Sequence, residues 1–178
     1  MAAARWSRGP AEQNNVSGGR TGGGTSRAGC ETLTDPWLPG YNAKGERLVA
    51  GIVPLSEDKT LVMLIQSTRR KGWVLPKGGW EIDEECTDAA AREAWEEAGI
   101  LIQIDYDLGE IKDSRPPKHS NKERSLYRFF EATVHSQEEV WPEADKRERQ
   151  WFTYTEANEL LQARPELLMA LDRSTIKR

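Results

Sequence analysis

The stretch that decides the fold spans residues 78–100 and has the sequence GGWEIDEECTDAAAREAWEEAGI. It contains eight acidic residues and a single arginine, Arg92. On a helix, Glu93, Glu96 and Glu97 occupy positions i, i+3 and i+4, so we expect them to share one face. Two carboxylates about 4 Å apart repel by roughly 4 kcal/mol at an effective dielectric constant near 20. The cluster therefore predicts a bound cation, and its hard oxygen ligands favour Mg²⁺, with Mn²⁺ as an alternative.

Basic segments lie on both sides of this acidic stretch. Residues 69–77 include four basic residues and no acidic one, and residues 112–128 include six basic residues and two acidic ones. A metal-binding face between basic segments would suit a polyphosphate ligand. Such charges are equally typical of a solvated surface, so the charge pattern alone leaves both interpretations open.

Composition separates a tail from a single folded domain. Residues 1–40 are rich in Gly, Ser and Arg with almost no apolar periodicity, which predicts a disordered tail before a domain over residues 41–178. No apolar run approaches the roughly 20 residues of a membrane span, so we expect no membrane partner. Cys30 and Cys86 are the only cysteines and lack metal-ligand spacing. This cysteine usage fits a reducing compartment, and we expect a cytoplasmic and/or nuclear protein.

Short β-branched and apolar runs, and alternation in residues 125–135, predict strands before and after a central helix. The predicted strands are residues 47–55, 60–67, 72–76, 100–104, the stretch around 108–111, 125–135 and 149–155. The predicted helices are residues 87–98, 155–163 and 165–172. For the central helix we expect Thr87 or Cys86 as N-cap and Gly99 at the C-terminal end. We expect its packing face, opposite the glutamates, to consist of Ala91, Ala94, Trp95 and Ala98. This order of elements predicts an α+β sandwich with a mixed sheet.

The spacing of Gly78, Glu84, Arg92-Glu93, Glu96-Glu97 and Gly99 resembles the complete Nudix box. The resemblance implies a Nudix α/β/α sandwich and metal-dependent hydrolysis of a diphosphate linked to another moiety. Further segments resemble the fungal diphosphoinositol polyphosphate phosphohydrolases, which are related to enzymes that also cleave diadenosine polyphosphates and inorganic polyphosphate. These segments are RLVAG at 47–51, GWVLPKGGWE at 72–81, RPP at 115–117, KRERQWFTYTEANELL at 146–161 and RPELLMAL at 164–171.

The Nudix resemblance also implies roles for residues of the box. Gly78 (through its carbonyl), Glu93 and Glu97 match metal ligands. Glu96 matches the general base that activates water, and Glu93 is the alternative, since Nudix members differ in this assignment. The structural residues of the box would be Glu84, Arg92 and Gly99. We expect Arg92 to orient the carboxylates rather than to contact the substrate.

Substrate contacts implied by the same resemblance are mostly basic. They are Arg47, Ser67, Thr68, Arg69, Lys122, Arg124, Arg147 and Arg164. Several arginine forks around one ligand would suit a densely phosphorylated ring. Lys77 could contact a phosphate or belong to the surface. A nucleotide would instead require aromatic stacking, but the alternation of Tyr127, Phe129, Phe130 and Tyr154 with polar residues is typical of core strands, and we expect Trp73, Trp80, Trp95 and Trp151 to serve packing.

The leading hypothesis is a hydrolase that removes the β-phosphate from diphosphoinositol polyphosphates and also cleaves diadenosine polyphosphates and inorganic polyphosphate. A nucleotide-directed hydrolase, acting on dinucleoside polyphosphates or an RNA cap, is the alternative within the same fold. A non-catalytic sensor of inositol phosphates is a third hypothesis, which the complete glutamate set disfavours. We expect a monomer whose partner is a small polyanionic molecule and not a nucleic acid.

Overall fold

A mixed β-sheet organises the part of the chain that the computed structural model describes, namely residues 40–42, 44–81, 83–113 and 124–178. In chain order its elements are β1 (Arg47–Leu55), β2 (Leu61–Gln66), β3 (Trp73–Val74), β4 (Lys77–Gly79), α1 (Cys86–Ala98), β5 (Ile100–Lys112), β6 (Ser125–Gln137), β7 (Arg149–Thr153), α2 (Tyr154–Leu161) and α3 (Pro165–Arg173). The strands are arranged in the order β3-β2-β1-β6-β5, with β4 paired to β1 and β7 paired to β2. This is the predicted α+β sandwich with a mixed sheet.

Strand β1 is central because it pairs with three neighbours. It runs parallel to β6, in a register that begins with Arg47 opposite Ser125, and antiparallel to β2 and β4. Parallel strands begin at the same edge of a sheet, so the first residues of β1 and β6 lie together. The Arg47 amide accordingly donates to the Arg124 carbonyl at 2.8 Å. Two basic residues far apart in sequence are thereby brought to one edge.

Helix α1 lies against the sheet through small side chains. Ala89, Ala90, Ala94 and Ala98 are completely buried, whereas Ala91 and Trp95 are only half-buried. The predicted packing face was therefore correct for Ala94 and Ala98. It was wrong for Ala91 and Trp95, in whose place Ala89 and Ala90 are buried. Because alanine adds little bulk, the helix backbone approaches β1 and β4 closely. This approach brings the glutamates of α1 against the strand that contains Gly78.

Of the two predicted ends of α1, only the N-terminal one was wrong. Its N-cap is Glu85, whose side chain makes no capping hydrogen bond, so the predicted N-cap at Thr87 or Cys86 was wrong. Gly99 ends the helix in the left-handed conformation, with φ of 60° and ψ of 40°, as predicted. The helix therefore stops at the expected residue and passes directly into β5.

Two strand predictions also need correction. Residues 77–79, which the sequence did not predict as a strand, form β4, because they pair antiparallel with residues 49–51 of β1. The two strands expected at 100–104 and around 108–111 form one strand, β5, whose pairing with β6 includes three register shifts. A bulged strand interrupts the period-2 pattern, which is why the sequence divides it in two.

Two smaller helices follow the last strand. Helix α2 begins with a capping box in which Thr153 and Glu156 bond each other's backbone amides, and α3 begins at Pro165. The aromatic residues Tyr127, Phe129 and Phe130 are buried, as expected for core strands. None of the helices in the described residues is long and apolar enough to cross a membrane. The predicted tail up to residue 39, the RPP segment and Lys122 lie outside the described residues.

Candidate active site

Arg92 joins the loop before α1 to the helix itself. Its Nε and Nη2 atoms donate to the two carboxylate oxygens of Glu84 at 3.1 and 2.7 Å, and Nη2 also donates to the Gly79 carbonyl at 2.9 Å. Its Nη1 atom donates to Glu93 at 2.9 Å and contacts Glu96 at 3.4 Å. These contacts use the guanidinium fork almost completely. In this structure Arg92 thus contacts carboxylates of both the loop and the helix, and its role in orienting them stays a prediction.

The electrostatic environment of this pair follows from its contacts. Partial burial raises the pKa of Glu84, but the hydrogen bonds and the charge of Arg92 together with the hydrogen bond from the Glu81 amide outweigh it, and the net pKa is lowered. The pKa of Arg92 is raised in turn, chiefly by the hydrogen bond to Glu84. Each group therefore holds the other in its charged form.

Glu93 lies directly against the backbone of Gly78. A Cβ atom placed on Gly78 would come within 2.0 Å of the Glu93 carboxylate. Glycine is needed here because only the absence of a side chain leaves room for that carboxylate. The structure thus brings together Gly78 and Glu93, two of the three residues predicted to bind a metal.

Glu97, the third of these residues, faces the same strand one residue earlier. Its Oε2 atom accepts the Lys77 amide at 2.8 Å, and its Oε1 atom accepts a hydrogen bond from Arg147. Both oxygens are therefore engaged by donors. With Glu93 at Gly78 and Glu97 at Lys77, two successive turns of α1 present carboxylates to two successive residues of β4.

Glu96 differs from its two neighbours in accessibility. Its side chain is 43% exposed, whereas those of Glu93 and Glu97 are 11% and 10% exposed. The expectation that all three share one face was therefore only partly correct: Glu93 and Glu97 point toward the sheet, and Glu96 points outward. Only Glu96 keeps substantial contact with solvent.

Burial sets the ionisation of the two inward carboxylates. It raises the pKa of Glu93, with Arg92 opposing this and the charge of Glu97 adding to it. Burial likewise raises the pKa of Glu97, while Lys77 and Arg147 oppose it. Raised values mean that the negative charges are stabilised less well than in water, so a cation near both would be strongly attracted.

The donor set fits a hard divalent cation. In the described part of the chain, no group of three or more His, Cys, Asp and Glu side chains forms a metal site by itself. The predicted set instead combines the carboxylates of Glu93 and Glu97 with the Gly78 carbonyl, and oxygen ligands of this kind suit Mg²⁺ or Mn²⁺, which are completed by water and substrate phosphates. The space that a Gly78 side chain would fill is already taken by the Glu93 carboxylate.

A cleft of about 520 Å³ opens beside Glu93. Arg47, Arg92 and Glu93 belong to its lining, and Glu96 and Glu97 do not. Its remaining lining residues are Gly40, Tyr41, Leu48, Gly79, Trp80, Glu81 and Asp83. Trp80, expected only to pack, also donates its indole N–H to the Glu84 carbonyl at 2.8 Å and presents part of its surface to the cleft. The cleft is large enough for part of a phosphorylated ligand.

The predicted substrate residues fall into two groups. Arg47 and the exposed Arg124 lie together at the Glu93 side, by the strand pairing described above. The other group lies at the Glu97 side, since Arg147 bridges Glu97 and the Gln66 carbonyl next to the turn of Ser67, Thr68 and Arg69. Thr68 and Arg69 are exposed on that turn. Arg164 lies 3.7 Å from the buried Glu166. Like that of Arg147, its positive charge lowers the pKa of Lys77.

Arg147 is the predicted substrate residue whose surroundings differ most from expectation. Its side chain is only 9% exposed and is occupied by Glu97, Glu143 and the Gln66 carbonyl. Internal carboxylates, rather than solvent, therefore surround its charge. The sequence pattern could not reveal this, because the partners are 4, 50 and 81 residues away.

Three residues that matter for the site were missed or left open by the sequence. Lys77 is buried enough that desolvation lowers its pKa, with Glu97 opposing the effect, so it is not an ordinary surface lysine. Arg149 donates to the carbonyls of Ala98 and Gly99 at the end of α1. Glu166 is completely buried near Arg164, and a glutamate two residues after an arginine at a helix start gives little sequence indication of this.

Comparison with known proteins places the chain in a family. The NUDIX domain model matches residues 45–171, and the chain therefore belongs to the Nudix family. The chain is 39% identical over 134 residues to "Nudix hydrolase 21, chloroplastic" of Arabidopsis thaliana, covering 70% of this chain and 65% of that protein. It thus spans slightly less than two thirds of this relative's length.

Two further likenesses concern proteins whose names specify a substrate. The chain is 34% identical over 110 residues to the human "Diphosphoinositol polyphosphate phosphohydrolase 3-alpha", covering 60% of this chain and 63% of that protein. A solved structure of a C. elegans Ap4A hydrolase matches with a TM-score of 0.57 at 20% identity, covering 71% of this chain and 93% of that one. The latter likeness shows the fold. Several other curated relatives are Arabidopsis Nudix hydrolases, so a particular kinship with the fungal enzymes is not shown.

Proposed function

We propose that the protein is a metal-dependent phosphoanhydride hydrolase acting on diphosphoinositol polyphosphates, with diadenosine polyphosphates and inorganic polyphosphate as further substrates. The observation that carries the proposal is the arrangement of Glu93 and Glu97 against consecutive residues of β4, with Glu96 exposed beside them. A binding module has no need of three mutually repelling carboxylates at such spacing. Membership of the Nudix family supports the reaction class.

Glu93, Glu97 and the Gly78 carbonyl would hold the divalent cation. When bound, the cation would polarise the phosphoanhydride and lower the pKa of water. Glu96 accepts the proton of the attacking water, because it is the accessible carboxylate of the three and its single described contact, to Arg92, is long at 3.4 Å. The water oxygen forms a bond to phosphorus as the bond from phosphorus to the bridging oxygen breaks. Arg92 keeps Glu93 in place throughout.

The inositol pyrophosphate assignment is supported by basic residues on both sides of these carboxylates. Arg47 and Arg124 meet on the Glu93 side, and the 67–69 turn lies on the Glu97 side, next to the Gln66 carbonyl that Arg147 bonds. Arg164 lies close enough to Lys77 for its charge to lower the pKa of that lysine. A densely phosphorylated ring needs cationic donors from several directions, which this distribution supplies. The likeness to the human diphosphoinositol enzyme is consistent with this proposal.

A nucleotide-directed hydrolase is the second candidate, and the cleft lining favours it. Tyr41 and Trp80 contribute aromatic surface there, while Glu81 and Asp83 add negative charge that a polyanion would avoid. An uncharged base and ribose would tolerate those acids better than a phosphate group would. The two candidates therefore differ in which part of a substrate enters the cleft.

The deciding experiment measures kcat/KM of the full-length protein with Mg²⁺ for an inositol pyrophosphate and for diadenosine hexaphosphate, with product analysis. A higher value for the inositol pyrophosphate supports the first candidate, and the reverse supports the second. If neither substrate releases phosphate, the non-catalytic sensor is the hypothesis that remains. Glu96→Gln should reduce the rate roughly 10²–10⁴-fold, as for loss of a general base. A rate within about threefold of the parent would contradict the assignment of Glu96.

A further inference from the structure

The segment between β6 and β7 is fastened to the C-terminal end of α1. The Glu138 amide donates to the Gly99 carbonyl at 2.8 Å, and Arg149 donates to the carbonyls of Gly99 at 3.0 Å and Glu138 at 2.7 Å. The Arg149 guanidinium lies over the Trp141 ring at 4.2 Å, and that ring packs so tightly on Gly99 that an added Cβ would come within 2.6 Å. Residues 138–149 are thus fixed to the helix that bears the glutamates.

This segment places the Arg147 side chain beside Glu97. All three guanidinium nitrogens of Arg147 are engaged: Nη2 by Glu97, Nε by Glu143 and Nη1 by the Gln66 carbonyl at 3.2 Å. The side chain is 9% exposed, so the contact with Glu97 is shielded from solvent. The Coulomb attraction within a shielded pair exceeds that at the surface, desolvation offsets it, and removal of either partner leaves a buried charge without compensation.

The Glu97 oxygen that Arg147 contacts is also a candidate ligand for a divalent cation. Oε2 of Glu97 accepts the Lys77 amide and Oε1 accepts Arg147, so a cation that binds through Oε1 meets the Arg147 guanidinium. A divalent cation bound at Oε1 and a guanidinium at the same atom would lie a few ångströms apart and repel each other. The two cations therefore compete for one carboxylate oxygen.

We propose that Arg147 is a positioning residue that balances the charge of Glu97 in the metal-free protein, and that divalent cations bind in competition with it. The inference rests on the proposed metal role of Glu97. It gives Arg147 a function that differs from the substrate contact predicted by the family resemblance. Arg147 would orient Glu97 in the metal-free protein, and its contact with Oε1 would break when a metal ion binds there.

The test is titration of the full-length protein with Mn²⁺ alone, at pH 8 and without substrate, by calorimetry. We expect Arg147→Gln to bind Mn²⁺ on the order of tenfold more tightly than the parent, and to melt at a lower temperature in EDTA, because Glu97 loses its counter-charge. Arg164→Gln is the matched control, since it removes an equal charge nearby from a residue with no described bond to Glu97. Its affinity should change much less.

A second pair of variants tests the competition from the opposite direction, without removing Arg147. Glu143→Gln deprives Arg147 of its other carboxylate, so its charge is left to Glu97 alone, and Mn²⁺ should bind several-fold more weakly. Glu148→Gln removes the same charge from the same segment, but its carboxylate bonds Gln66 instead of Arg147. Its Mn²⁺ affinity should fall less. This pair keeps the proposal testable if Arg147→Gln does not fold.

Three outcomes would overturn the proposal. Weaker Mn²⁺ binding in Arg147→Gln would show that Arg147 supports the metal site, and equal changes in Arg147→Gln and Arg164→Gln would show a general charge effect. Equal weakening in Glu143→Gln and Glu148→Gln would have the same meaning. Glu97→Gln separates this inference from the proposed function. If Glu97→Gln binds Mn²⁺ as tightly as the parent, the proposed metal role of Glu97 is wrong as well. If Glu97→Gln binds Mn²⁺ much more weakly while Arg147→Gln binds it as the parent does, only the competition is wrong.

Discussion

The Glu93 carboxylate occupies the space where a side chain on Gly78 would be, with carboxylate atoms 2.0 Å from an ideal Cβ position. The glycine and the glutamate are 15 residues apart and meet because α1 packs closely on β1 and β4. Any residue larger than glycine at position 78 must therefore displace Glu93. This relationship makes the glycine as necessary to the site as the carboxylate.

Gly78→Ala should accordingly reduce the proposed hydrolase activity. Displacement of Glu93 by about 1 Å is expected to reduce kcat/KM by roughly 10²-fold, since misplacement of catalytic groups on that scale has such an effect. Gly79→Ala is the matched control, because its Cβ would meet the nearest atom, Arg47 Nη2, at an ordinary 3.4 Å. Steady-state kinetics with Mg²⁺ compare the two. Similar losses in both variants would show that the Gly78–Glu93 approach is not responsible.

Arg92→Gln should lower both stability and activity. The variant loses the forked contact with Glu84 and the bonds to Glu93 and the Gly79 carbonyl. We expect the free energy of unfolding to fall by about 2–4 kcal/mol, because partly buried carboxylates lose their counter-charge. Urea denaturation measures this change. Arg178→Gln, which breaks an exposed pair with Asp172, should change stability by less than about 1 kcal/mol. Equal effects in both variants would contradict a structural role for Arg92.

Arg149→Gln should loosen the end of α1. The guanidinium satisfies the carbonyls of Ala98 and Gly99 and places positive charge at the negative end of the helix dipole. Its loss should lower the free energy of unfolding by about 2–3 kcal/mol in a denaturation experiment. Lys146→Gln, an exposed residue in the same segment, provides the control and should have an effect below about 0.5 kcal/mol. A neutral Arg149→Gln would mean that the Trp141 packing alone fixes the segment.

Asp58 should contribute stability that disappears in acid. Hydrogen bonds from the side chains of Ser56 and Thr60 and from the Thr60 amide lower its pKa from 3.8 to about 2. A carboxyl whose pKa is lower in the folded state stabilises the fold above its unfolded value, and this stabilisation is lost as the pH falls from about 4 to about 2. Asp58→Asn should be less stable than the parent at pH 6 and equal to it near pH 2. A difference in unfolding free energy that stays constant over this range would contradict the assignment.

Much of the fold follows from local patterns. Short β-branched and apolar runs predicted β1 and β2 nearly to the residue, because strands buried on both faces are apolar along their length. Alternation predicted most of β6. Gly99 predicted the end of α1, since the left-handed conformation costs glycine little. The failures lie where neighbouring elements override local pattern: the bulged β5, and β4, whose glycines gave no strand pattern but pair with β1.

The sequence by itself determined the family and the order of the elements and identified the candidate glutamates, because the box spacing is a property of a single helix and its flanking loop. Only the tertiary structure decided how those glutamates differ. Packing of α1 on the sheet turns Glu93 and Glu97 inward and leaves Glu96 in solvent, and the segment between β6 and β7 brings Arg147 to Glu97 from 50 residues away. Helical periodicity fixes which residues share a face, whereas burial and long-range charge depend on what packs against that face.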